Sequence, residues 1–183
     1  MANLFQGDIR ITSNDELFKL TAHFILILYF HSTPHLEKGM QVIRNAIKEE
    51  EKKWNNGIIP YEISRSYDGN ERAQIAKAIA EIHQETCIKF KARQGENDYI
   101  YITKGNGCSS SVGRVGGKQT VSLGAGCVYF GIILHELMHA VGFWHEQSRA
   151  DRNDYVRINW SNIRNGMEYN FQKYDWTIIQ NLG

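Results

Sequence analysis

The order of local patterns along the 183 residues predicts an α+β domain. Three observations carry this: short β-branched and aromatic runs bounded by turn residues, two segments with apolar residues at helical spacing, and a charged block that sets both apart from the beginning of the chain. A hydrophobic content of 42% suits one globular core with an extension. Lys and Arg number 21 against 20 Asp and Glu, a formal net charge of +1, so the bulk charge gives no reason to expect a nucleic acid or an anionic membrane as partner.

Residues 1–10 lack the basic segment, apolar run and small-residue cleavage site of an export signal. The run FILILYF at residues 24–30 is far shorter than the roughly 20 residues that span a bilayer, so no membrane span is expected. It reads as a buried segment or a strand, with an internal export signal left open. Residues 38–54 are strongly charged, with Lys48, Glu49, Glu50, Glu51, Lys52 and Lys53 in one block, and the main boundary is placed there. After the Asn56-Gly57 turn, residues 58–63 read as a strand in which Pro60 argues for an edge position. Residues 71–85 space Ile75, Ala78, Ile79 and Ile82 as one face of a helix, with Asn70 as its expected N-cap. Residues 88–90 and 99–103 read as strands, a Gly/Ser-rich loop runs through Gly117, and residues 120–123 form another strand. Residues 129–142 carry Phe130, Ile133, Leu134, Leu137, Met138 and Val141 as an apolar stripe of helical period that ends on a glycine.

That last helix carries the chemistry. His135 and His139 lie four residues apart, so their imidazoles share one face and can clamp one ion. Gly142 can take backbone angles closed to other residues, turning the chain so that His145 approaches the same ion. Three neutral imidazoles fit one Zn2+ per chain and leave coordination open for water, whose pKa the ion lowers. Glu136 is adjacent to a ligand without being one, and is placed to take the water's proton and to pass it to a departing amine. A structural zinc module fits poorly, because such sites fill all four positions, usually with cysteine.

Around this motif, Cys127-Val128-Tyr129, the segment Gly142-Phe143-Trp144-His145-Glu146-Gln147-Ser148-Arg149 and Asp151-Arg152 resemble the signature of the astacin family of metzincin zinc endopeptidases. The resemblance covers most of residues 45–174. It implies a zincin-like catalytic domain whose upper subdomain has a twisted sheet and two long helices, followed by an incomplete lower subdomain. It also implies an extracellular, secreted enzyme made as a zymogen and acting on protein or peptide substrates. An extended substrate would pair with an edge strand of the upper subdomain. Residues 1–44 would be a propeptide-like segment with an atypical insert near residues 16–40, and residues 45–183 the peptidase domain. By the same likeness, an activating protease would cut after Arg44, Glu146 would meet the new terminus at Asn45, and Asp8 of Phe5-Gln6-Gly7-Asp8 would be the latency switch that occupies the zinc. Cys108 and Cys127 would be bridged, leaving Cys87 free or paired between chains.

After Tyr174 the sequence shows no Ser-x-Met-His-Tyr element, so the floor and tyrosine roles of the family's Met-turn fall on no residue here. A chain that binds zinc without catalysing is therefore the alternative expectation, and a truncated or mis-assembled chain the expected cause. Asn159-Trp160-Ser161 is a formal glycosylation sequon. His23, His31, His35 and His83 have no ligand spacing to the motif and read as ordinary histidines.

Overall fold

The computed structural model describes residues 45–180 together with two short strands near the start of the chain. The expectations for Asp8, Arg44 and the run at residues 24–30 fall outside the described residues. The two short strands, β1 (Leu4–Phe5) and β2 (Ile9–Arg10), pair antiparallel with each other. The main body then runs through β3 (Ala46–Ile47), β4 (Ile58–Ile63), α1 (Gly69–Glu85), β5 (Lys89–Ala92), β6 (Tyr99–Thr103), β7 (Cys108–Ser110), β8 (Lys118–Leu123), α2 (Phe130–Val141) and β9 (Ile179–Gln180). The α+β expectation holds.

The strands β5-β4-β6-β8-β7, in that order, form one sheet, parallel throughout except for β7, which pairs antiparallel with β8. Parallel neighbours need crossovers, and α1 supplies the one from β4 to β5. The two helices pack on each other, and with the inward residues of the sheet they bury Ile59, Ile75, Ile100, Ile102, Val121, Leu123, Ile133 and Leu137 completely. This apolar layer is what holds α2, and so the histidines on it, in one place.

Several local expectations are corrected. Pro60 does not mark an edge, because β4 lies between β5 and β6. The Tyr61 carbonyl accepts from Arg93 N–H on the β5 side, so Pro60's missing donor faces β6, and that ladder begins only at Tyr61. The N-cap of α1 is Asp68, not Asn70. Its carboxylate accepts the Glu71 N–H and Glu71 accepts the Asp68 N–H, both at 2.9 Å, a reciprocal capping box that Asn70 is not placed to make. Strand β7 lies inside the expected loop; its Cys-Ser-Ser run has little strand propensity and is held by pairing with β8. His83 serves the sheet: its Nε2 accepts the Phe90 N–H at 2.8 Å, closing part of the outer edge of β5.

Cys108 and Cys127 are bridged as the resemblance implies, across 19 positions of sequence, which ties β7 to the turn that leads into α2. Closing a loop of that size removes chain entropy from the unfolded state worth about 3 kcal/mol. Cys87 is exposed and free of disulfide.

Candidate active site

Helix α2 begins with Tyr129 as its N-cap and presents His135, Glu136 and His139 on its inner side, all buried. It ends where Gly142 takes φ +130°, and the Gly142 and Phe143 amides donate back to the carbonyls of Met138 and His139. A Cβ at Gly142 would stand 2.9 Å from the Ile47 side chain, so both the backbone angle and the crowding require glycine. The chain then reverses and delivers His145.

One ligand atom each from His135, His139 and His145 lies within 4.8 Å of the others. The Nε2 atoms of His139 and His145 are 3.0 Å apart. The His139 Nδ1–H donates to the Phe143 carbonyl at 2.7 Å, which fixes the tautomer and turns the Nε2 lone pair to the centre. Burial drives the histidine pKa values down, with His135 well below the usual range and His145 at about 4, each lowered further by neighbouring imidazoles. His139 is also lowered by burial, against the pull of the Phe143 carbonyl. Three neutral, converging imidazoles are a donor set that fits a zinc ion.

Glu136 is buried beside this cluster, its pKa pushed up to about 8 by desolvation alone. One of its carboxylate oxygens, Oε2, is among the few buried polar side-chain atoms of the described residues with no hydrogen-bond partner. A buried acceptor with nothing to accept from is costly unless a ligand fills the gap, and Glu136 directly follows His135, one of the three clustered histidines that could hold a metal ion.

The position of His145 depends on a strap that the sequence pattern did not reveal. The Ile47 N–H donates to the Gly142 carbonyl and the Trp144 N–H to the Asn45 carbonyl, both at 2.8 Å, with Ala46 bridged to Phe143. The fully buried Asn45 also donates its side-chain amide to the His145 carbonyl. Strand β9 pairs with β3, so residues distant at both ends of the sequence meet at the turn. The Glu146 carboxylate accepts the Asn45 backbone N–H and pairs with Arg149; burial nevertheless raises its pKa. Downstream, Arg149 pairs with Asp151 at 2.8 Å, and the buried Arg152 donates to the carbonyls of Gln147 and Phe171. Gly113 is a second missed contributor. Its N–H donates to the His139 carbonyl at 2.9 Å, and a Cβ there would lie 2.6 Å from the Lys52 carbonyl oxygen.

A three-histidine cluster with an adjacent buried glutamate, on a sheet backed by two helices, is a zincin-like catalytic domain. The sequence profile of the astacin peptidase family matches residues 46–183, and the chain belongs to that family. Among its relatives, zinc metalloproteinase nas-13 of Caenorhabditis elegans is 54% identical over 143 residues, 78% of this chain and 32% of that protein. Zinc metalloproteinase nas-15 of the same organism is 49% identical over 180 residues, 98% of this chain and 30% of that one, so the likeness takes in nearly all of residues 1–44 as well. The structure is similar to that of high choriolytic enzyme 1, a hatching enzyme zinc-protease from Oryzias latipes, with a TM-score of 0.66 and 47% identity over 72% of this chain and 70% of that one. The chain therefore spans about a third of the length of the two nematode relatives, 32% and 30%. Zinc is the metal named for these relatives, and the three-imidazole donor set fits it.

Proposed function

We propose that the chain is a zinc-dependent endopeptidase in which His135, His139 and His145 hold the metal and Glu136 is the general base. The carrying observation is the buried Glu136 carboxylate, one oxygen unpartnered, beside three converging neutral imidazoles. When bound, zinc supplies Lewis-acid polarisation of the scissile carbonyl and acidifies water. Glu136 then takes a proton from the attacking water and returns it to the departing amine. Burial raises its pKa to about 8 in the metal-free chain, the direction that helps the carboxyl hold that proton until the amine departs. His139, its ring fixed through Phe143, keeps a lone pair on the metal side throughout.

The substrate would lie extended along β7, the antiparallel edge strand, which packs beside α2. Residues 1–44 are read as a propeptide in which Asp8 is the latency switch, cut after Arg44 by another protease, in a secreted protein. The Asn45–Glu146 hydrogen bond supports that boundary, since a new terminus at Asn45 would arise beside a carboxylate. The assay compares the parent chain cleaved after Arg44 with a Glu136→Gln variant, measuring bound zinc and hydrolysis of an internally quenched peptide. Zinc in both and turnover in the parent alone is expected; zinc in both with turnover in neither would leave a metal-binding chain without catalysis.

A further inference from the structure

At the sheet edge opposite β7, a cavity of about 660 Å³ opens where β4 and β5 end. Strands β4 and β6 are neighbours whose chains depart in opposite directions, β4 through α1 to β5 on one side and β6 toward β7 and β8 on the other. Such a switch at the carboxyl ends of parallel strands leaves a crevice suited to a ligand. Three guanidiniums line it, from Arg65, Arg72 and Arg93, against one carboxylate, that of Glu62, which pairs with Arg93 at 2.9 Å. The excess of positive charge is thus local in a chain of net charge +1. Arg65 and Arg72 are exposed, and Arg72 is steadied by donating to the Ser64 carbonyl at 3.0 Å. Within the cavity wall the Arg93 guanidinium lies 3.8 Å from the Tyr99 ring and also donates to the Glu96 carbonyl, so Arg65 and Arg72 are the more open of the three. Past the cavity the Lys118 ammonium lies 3.9 Å from the Tyr101 ring.

We propose that this cavity binds a sulfated sugar unit of an anionic polysaccharide, holding the protein to such a polymer at a site separate from the histidine cluster. Forked guanidiniums match the geometry of a sulfate group, and the Ser64 hydroxyl of the cavity wall, 2.9 Å from that of Ser66 just outside it, offers a partner for a sugar hydroxyl. An acidic peptide is the poorer fit, because an extended chain would need the main chain of edge strand β5, and His83 already occupies the Phe90 N–H there. The proposal does not depend on the peptidase reading.

The experiment titrates the full chain at 0.15 M salt with a heparin-derived hexasaccharide, its desulfated counterpart, and hexaglutamate. The sulfated hexasaccharide is expected to bind at least tenfold more tightly than either control, and more weakly as salt rises. Arg65→Glu should weaken it at least tenfold and Arg65→Ala by less, while Arg157→Glu, the same charge change outside the cavity, should alter it less than twofold. Hydrolysis of a short peptide should be unchanged in all three variants. Failure of the hexasaccharide to bind, tighter binding of hexaglutamate, or equal losses in Arg65→Glu and Arg157→Glu would overturn the proposal.

Discussion

Two regions bring the three histidines to the same point by different means. Helix α2 brings His135 and His139 together through its own pitch, and its register is held by a deeply buried apolar stripe. The turn at residues 142–148 brings His145 through contacts with residues about a hundred positions earlier and some thirty later. The helical half is local in sequence and globally anchored; the turn is held by a few long-range hydrogen bonds. What differs is how each half fails: the helix by loss of core packing, the turn by loss of individual bonds.

The largest expected effects come from the groups proposed to hold the metal and move the proton. Glu136→Gln should cut peptide hydrolysis by roughly 100-fold or more while leaving zinc in place, measured by turnover beside metal content. His139→Ala and His145→Ala should each weaken zinc binding by more than the ~10–100-fold that follows loss of an outer partner, despite their different supports. If His145→Ala retained parental affinity, the turn would not belong to the site.

The next effect concerns the metal-free protein. Folding raises the Glu136 pKa from its usual range to about 8, so the stability that the neutral carboxyl allows is full at pH 4.5 and below and is lost as pH rises through about 8. Glu136→Gln cannot ionise, so its melting temperature without metal should gain on the parent's across that window. The buried histidines act in the opposite sense: their lowered pKa values give stability that is full above about pH 6.5 and lost as pH falls toward 4. They are common to both proteins and cancel in the comparison. Smaller again, Gly142→Ala should cost about 1–3 kcal/mol in denaturant unfolding, because alanine resists φ +130° and would crowd Ile47.

The helical half was legible because each of its signals is periodic or fixed in spacing: an apolar stripe, two histidines four apart, and a glycine at the end. The disulfide and the place of Glu146 beside Asn45 followed from the family likeness rather than from the residues alone. The strap was not legible, since Asn45, Ala46 and Ile47 carry no strand pattern and pair only with segments remote in sequence. Strand β7 was hidden for the same reason, and Pro60 misled because the direction of its missing N–H depends on which neighbour pairs first. The cap of α1 was misplaced because Asp68 precedes a glycine and an asparagine, and only the reciprocal bond with Glu71 marks it as the start.

The dependence of the turn on its strap is tested most directly by Asn45→Ala, which removes the amide that donates to the His145 carbonyl and leaves all three clustered histidines unsubstituted. Zinc dissociation constants for parent and variant, taken by competition with a chelator, should differ by about tenfold, the parent binding more tightly. Equal constants would contradict the account and place His145 under the control of its own turn.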